Sequence, residues 1–274
     1  QEIIKTFHII FPPLPEQQQI ASILSNVDNL IQNTDKLIEK TTRLKKGLMQ
    51  ELLTRGIGHT KFKKVPWLFR KEIDIPEEWE VTNYGELTNR ITYGFTNPMP
   101  ETQDGVWMIT ATNIKKGKIV YETARKTSHD AYTNLISDKS RPKKGLILIT
   151  KDGTLGEVAI VDRDDICINQ SIASIEPISE KINSDYLLIS LQSYSTKQFI
   201  TIFSPQTTIR HIYITDIPNW KIPLPPLPEQ QQIASILSNT DEKIQSYQRY
   251  KEKLQRLKKS LMQKLLTGEV RVAV

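Results

Sequence analysis

Apolar residues fall at alternating steps of three and four along two long stretches of the chain, with short strand-like runs between them. The first series is Ile20, Leu24, Val27, Ile31, Thr34, Thr41, Leu44, Leu48 and Leu52; the second is Ile233, Leu237, Thr240, Ile244, Tyr247, Leu254, Leu257, Leu261 and Leu265. Each predicts one helix carrying a single coiled-coil stripe. Pro15 and Pro228 stand at the first turn, where a missing amide is harmless, and Glu16 and Glu229 follow at the positive end of the helix dipole. Gly56 and Gly268 stand where glycines stop helices. At 1.5 Å per residue, a helix from Glu16 to about Arg55 extends roughly 60 Å, more than a globular core requires.

The two stretches are copies of one another. Pro12 to Asn26 recurs unchanged from Pro225 to Asn239, and at the same offset of 213 the match runs on to Ile57 and Val270 with 30 of 46 positions identical. If the domain between them has its entry and exit close together, the helices run antiparallel, stripe against stripe. They then act as a ruler. Helix pairing is expected of Ile20, Leu24, Ile31, Leu44, Leu48 and Leu52, and of Ile233, Leu237, Ile244, Leu257, Leu261 and Leu265.

Residues 58–80 hold Lys, Pro and Trp without a period and read as a connector. From Val81 on, β-rich runs at Val106 to Thr110, Ile119 to Tyr121, Leu146 to Thr150, Val158 to Val161 and Ser171 to Ile175 are separated by turn signals. One helix is expected inside this domain, from Tyr186 to Ile202. The class is therefore α+β: a mixed α/β domain with a twisted sheet, plus two long antiparallel coiled-coil helices. Polar loops offer the groups that bind phosphates and base edges. They include Tyr93, Thr96 and Asn97 in one loop, Thr112, Asn113, Lys115 and Lys116 in a second, and Lys151, Asp152 and Thr154 around an Asp-Gly turn.

Composition adds a direction to this. Lys and Arg exceed Asp and Glu by 37 to 31, and between Lys115 and Arg163 the excess is eleven to six, so an anionic partner is expected there. Cys167 is the only cysteine, which excludes a disulfide framework, and it reads as a buried small hydrophobe. No apolar run approaches the ~20 residues of a membrane span, no secretory signal is present, and the cytoplasm is the expected compartment. A first residue of Gln rather than Met is what a segment of a longer chain would show.

The residues also carry a resemblance. Ile222 to Gln230, Ile-Pro-Leu-Pro-Pro-Leu-Pro-Glu-Gln, resembles the run that closes a target recognition domain and opens a conserved spacer helix in type I restriction-modification specificity subunits. Lys144 to Gly156 is similar to that family's GDILIS..GTLG segment, with Leu146 in place of Asp, and Asn169-Gln170-Ser171 resembles the strand after it. The resemblance implies a remnant strand of a preceding recognition domain at 1–11, a first spacer helix at 12–57, a connector at 58–80, a target recognition domain at 81–222 and a second spacer helix at 223–274. It implies a reader of one half of a bipartite DNA site. Tyr93, Thr96, Asn97, Thr112, Asn113, Lys115, Lys116, Lys143, Lys144, Lys151, Asp152, Thr154, Gln170, Arg210 and His211 would form its DNA-binding set.

The implied partners are double-stranded DNA, methyltransferase subunits, a restriction subunit reached through the complex, and a second copy of the chain as a homodimer. S-adenosylmethionine, ATP and Mg are expected on those partners, with no cofactor or metal bound by this chain. Two other classes compete. An adenine methyltransferase fragment would need a Gly-rich cofactor loop and an Asn/Asp-Pro-Pro-Tyr/Phe motif; Asn97-Pro98-Met99-Pro100 is only superficially similar, and neither feature occurs. His8, His59, His129 and His211 show no metal-ligand spacing. A coiled-coil scaffold that binds protein is the other alternative, against which the local basic excess argues.

Overall fold

The structure, a computed structural model, describes residues 11–68, 71–203 and 211–273. The expected remnant strand at 1–11 therefore lies outside the described residues apart from Phe11, as do His8 and Arg210. In chain order the elements are α1 (Leu14–Leu52), β1 (Phe62–Pro66), β2 (Glu72–Pro76), β3 (Glu80–Asn83), β4 (Thr88–Tyr93), β5 (Val106–Ile109), β6 (Ile114–Lys115), β7 (Lys118–Ile119) and β8 (Arg125–Thr127). There follow α2 (His129–Asn134), β9 (Ile147–Thr150), β10 (Val158–Ile160), β11 (Ile166–Ile168), β12 (Ile172–Pro177), α3 (Ser184–Leu191), α4 (Tyr194–Phe203), β13 (Lys221–Leu224) and α5 (Leu227–Leu266). The chain forms two compact units, Gln1–Gly47 with Ser238–Val274, and Leu48–Leu237.

In the first unit α1 and α5 run antiparallel. Lys258 reaches Asp28 at 2.6 Å, Lys251 reaches Asp35 at 2.6 Å and Lys45 reaches Asp241 at 2.6 Å, so one helix ascends as the other descends. Ile20, Val27 and Thr34 are buried on α1, and Leu254 and Leu265 on α5; Leu24, Ile31, Ile244 and Leu261 are half-buried. Two expected pairing residues are displaced. Leu44 is 57% exposed and Leu257 48%. The three-four alternation that carries Ile20, Leu24, Val27, Ile31 and Thr34 continues through Ile38, Thr41, Lys45 and Leu48, so Leu44 falls one position off the line and Lys45 takes its place. Lys258 replaces Leu257 in the same way. Long lysine stems cover apolar surface while their ammonium ends find carboxylates, which lets a charged residue occupy such a seam.

In the second unit a four-stranded antiparallel sheet, order β10-β9-β12-β4, is covered on both faces over β9 and β10. Ile147, Ile149, Val158, Ala173 and Ile175 face one core with Trp79, Tyr84, Tyr186, Phe199 and Trp220; Leu148, Ala159 and Ile172 face another with Ile109, Ile166 and Ile168. Double coverage is why Leu146 to Ile149 reads as an unbroken apolar run rather than an alternating one. A three-stranded sheet, β11-β5-β8, pairs β11 parallel to β5 and β8 antiparallel to it. Leu48, Leu52, Ile233 and Leu237, expected to pair helices, belong to the first of these cores.

Two sequence expectations change here. The stretch from Tyr186 to Ile202 is two helices, because Ser193 accepts a hydrogen bond from the Thr196 amide at 3.2 Å and caps a new start. The connector at 58–80 holds the β1–β2 hairpin and the fully buried Trp79. Its anchor is Glu229, whose carboxylate accepts from the Ile57 amide at 2.9 Å and the Trp79 indole at 2.9 Å, and lies 2.8 Å from His59 Nε2. The residue expected to serve the helix dipole thus also ties down the connector. Cys167 is buried, as expected, and burial pushes its thiol up to about 12. Among the described residues no helix is long and apolar enough to cross a membrane.

Candidate nucleic-acid interface

The strand order brings most of the polar loops to one end of the second unit. β4, β9 and β11 finish there and β12 begins, with Ala173 opposite Tyr93 and Ile172 opposite Thr150. The two sheets meet at Gly94. A Cβ on Gly94 would lie 1.8 Å from the Ile168 carbonyl oxygen, so only glycine lets β4 pass this close to β11. Phe95 and Asn169 then form a bridge, and Gln170 donates its amide to Phe95 at 2.8 Å.

At this end the Tyr93 ring has two cations over it, Lys139 Nζ at 4.9 Å from the centroid and Lys151 Nζ at 5.8 Å. Lys151 also pairs with Asp152 at 2.9 Å. The Ile212 amide donates to the Lys151 carbonyl at 2.8 Å, Asp152 bridges His211, and the His211 ring meets Tyr213 edge-on at 4.3 Å. Four residues singled out in sequence, Tyr93, Lys151, Asp152 and His211, therefore form one cluster although 118 positions separate the first from the last. Thr96, Asn97, Thr154 and Gln170 are exposed in the surrounding loops.

Lys115 and Lys116 sit on the β6–β7 hairpin, whose two-residue turn holds Lys116 at φ 51° and Gly117 at φ 82°. Both central residues have the positive φ of the hairpin-favouring turn, a conformation that costs a lysine more than a glycine. The Lys116 amide donates to Glu157 at 3.1 Å, which anchors the turn. The two exposed lysine side chains are thereby carried on an anchored turn.

Asn113 is not available to a ligand as its exposure in a loop would have allowed. It is 2% exposed; Oδ1 accepts from the Thr110 amide and the Thr110 hydroxyl, both at 2.9 Å, and Nδ2 donates to Thr123 Oγ1 at 3.2 Å. It closes a capping box that leaves its neighbour Thr112 exposed. Lys143 and Lys144 also part from the set, because they precede β9 whereas Lys151 follows it. The Lys144 amide donates to Asp164 at 2.7 Å.

Lys143 lines a groove of about 650 Å³ with Arg90, Thr92, Lys139, Arg141 and Ser174. No motif or spacing in the sequence singles out Arg90, Lys139 or Arg141. Arg90 and Thr92 lie opposite Glu176 and Ser174 on adjacent strands, an alternation of polar side chains on β4 that marks an open face. Arg141 is committed to structure, donating to the carbonyls of Tyr132, Thr133 and Ile136. Arg90, Lys139 and Lys143 remain as the groove's cations, with Asp138, Asp164 and Glu176 among its other walls. Among the described residues no group of three or more His, Cys, Asp and Glu is placed to hold a metal ion.

Comparison with known proteins gives a consistent picture. A family model, the type I restriction modification DNA specificity domain, matches residues 1–43 and 76–256. The chain is 33% identical over 280 residues to a putative type I restriction enzyme MjaX specificity subunit of Methanocaldococcus jannaschii, covering 99% of this chain and 61% of that protein. It is 33% identical over 279 residues to the MjaVIII specificity subunit of the same organism, covering 99% and 64%. The chain thus spans about three-fifths of the length of these relatives. In fold it is similar to the HsdS subunit of Thermoanaerobacter tengcongensis, with a TM-score of 0.60 and 20% identity over 96% of this chain and 60% of that one.

Proposed function

Since this chain belongs to the type I restriction-modification DNA specificity family, we propose that it reads the sequence of double-stranded DNA for a restriction-modification complex in the cytoplasm. The observation that carries the reading is the cluster at Tyr93, where Lys139 and Lys151 lie over the ring and Lys151 links it to Asp152 and His211, three segments meeting on one tyrosine, beside the exposed Thr96, Asn97, Thr112, Thr154 and Gln170. Cations over and around an aromatic ring hold phosphates in register, and the neutral hydroxyl and amide groups discriminate base edges. Lys115 and Lys116 extend the phosphate contact along the duplex; Arg90 and Lys143 add a second track. One recognition unit reads one half of a bipartite site.

The helices supply spacing and docking. Leu30, Leu37 and Leu44 are exposed at intervals of seven on α1, and Tyr250 and Leu257 occupy the positions of Leu37 and Leu44 in the second copy. Two matching apolar stripes on an antiparallel pair fit two copies of one partner, the methyltransferase subunit, with the restriction subunit joining through it. S-adenosylmethionine, ATP and Mg belong to those partners. Two copies of this chain would supply the two halves of a site.

The test is methylation of a random-sequence DNA library by this chain mixed with the adenine methyltransferase subunit and S-adenosylmethionine, read by sequencing the modified sites. The proposal expects modified adenines inside one recurring motif, palindromic and bipartite if two copies assemble. Modification without a motif would contradict it and favour a scaffold.

A further inference from the structure

Beside the interface, the loop after β4 and the end of β5 enclose a cavity of about 380 Å³. Its wall is divided by chemistry. Phe95, Met99 and Met108 present phenyl and thioether surface, backed by Cys167 and Ile136, while Thr110, Thr112 and Asn169 present hydroxyl and amide groups. Glu101 and Arg125 also line it; they are paired with each other and largely exposed, so their charges cancel at the solvent side.

The shape and the division restrict what fits. A phosphate or a metal ion would meet no unpaired charge. A methyl group projecting from a stacked base would fill a small part of the space, whose volume falls in the roughly 300–1,000 Å³ range of small-molecule sites. A flat heterocycle with apolar faces and a polar edge matches both halves of the wall. The polar half is also rigid. Asn113, buried behind it, fixes Thr110 through Oδ1 and Thr123 through Nδ2, and the Thr110 and Thr112 hydroxyls lie 2.9 Å apart. Asn169 accepts from the Ser171 amide at 3.1 Å through Oδ1, and among the described residues its Nδ2 has no partner. That leaves a donor for a ligand.

The cavity is joined to the Tyr93 cluster by Phe95, two residues along the chain and hydrogen-bonded to Gln170. Resting on the DNA-reading assignment above, we propose that this cavity takes one nucleobase turned out of the duplex: Phe95, Met99 and Met108 pack against its faces, and Thr110, Thr112 and Asn169 read its edge. Unstacking a base costs free energy that such a pocket returns through face packing and edge hydrogen bonds. Sequence would then be read at one position by a pocket rather than in a groove.

The experiment begins with a duplex selected by the full chain from a random-sequence pool. A fluorescent analogue, 2-aminopurine for purines or pyrrolocytosine for pyrimidines, is placed at each position in turn. The proposal expects emission to rise several-fold on binding at one position, and a mismatch at that pair to tighten binding, because the cost of unpairing is already met. Met99→Trp, which fills the cavity, should abolish the rise and weaken the selected duplex while leaving binding to random duplex unchanged; Met99→Leu should preserve the rise. Sequence-specific binding with no analogue brightening at any position would overturn the base pocket and leave the reading of DNA intact. If Met99→Trp weakened the selected duplex without any position brightening, the cavity would be reading a stacked base instead, and extrusion would be wrong. Failure to select any sequence would overturn both.

Discussion

Lys45 Nζ lies 2.6 Å from Asp241, and the same pair recurs with the helices exchanged, Lys258 to Asp28 at 2.6 Å. Asp241 stands 213 residues after Asp28, and Lys258 stands 213 after Lys45. The duplicated segments therefore pair about a local two-fold axis, each giving its aspartate to the lysine of the other. The prediction is that Lys45→Glu weakens the helix pair, and that Asp241→Lys in the same chain restores it. Partly exposed pairs of this kind contribute about 0.2–1 kcal/mol, so a double-mutant cycle by denaturant unfolding should give a coupling in that range, similar for both pairs.

Glu16 gives a pH dependence at the other end of the same unit. Arg271 donates to it twice, at 2.7 and 2.6 Å, and the Val272 amide adds a bond at 3.3 Å; the Arg271 hydrogen bonds hold its carboxyl below the usual carboxylate range. A depressed carboxylate pKa contributes stability that is complete above its unfolded value and fades as pH falls through the folded one. Amide-exchange protection at Val272 should therefore persist at neutral pH and disappear on acidification below the carboxylate range. Arg271→Ala should lose it at neutral pH as well.

Asn113 is predicted to be structural. Removing a buried amide with three hydrogen bonds leaves the Thr110 amide unpaired, and Asn113→Ala should cost about 1–3 kcal/mol in thermal unfolding. Its effect on DNA should follow from the misplacement of Thr110 and Thr112: sequence preference relaxes while affinity for random duplex is kept.

The cations over Tyr93 are predicted to act through phosphates. Lys139→Ala and Lys151→Ala should each weaken binding to every sequence and reduce the slope of log affinity against log salt by about one. Thr112→Val should leave that slope unchanged and lower discrimination by about 1–3 kcal/mol at one position.

Much of the architecture was legible because it is written in long periods. A duplication of 46 positions and a heptad stripe are properties of the linear order, and the helices α1 and α5 follow from them. The local register was harder. Leu44 outranked Lys45 on hydrophobicity alone, yet the geometric period places the lysine on the seam, and only the carboxylate of Asp241 makes that acceptable. The helix break at Ser193 depends on one side-chain cap. In the interface, Tyr93, Lys151, Asp152 and His211 carried a signal in their residue types, whereas Lys139 and Arg90 did not, because their importance comes from which strands are neighbours. Asn113 misled for the converse reason: an asparagine in a polar loop has the same sequence whether its amide faces water or closes a capping box.

The central claim is that this chain selects DNA by sequence through the end of the recognition unit around Tyr93. The most direct test is enrichment of a random-sequence duplex pool by the purified chain, sequenced over successive rounds and repeated with Tyr93→Ala combined with Thr112→Val. The account predicts one short motif enriched by the native chain and lost or degenerate in the double variant, with total DNA retained falling less than the enrichment. Equal retention of all sequences by the native chain, or an unchanged motif in the variant, would contradict it.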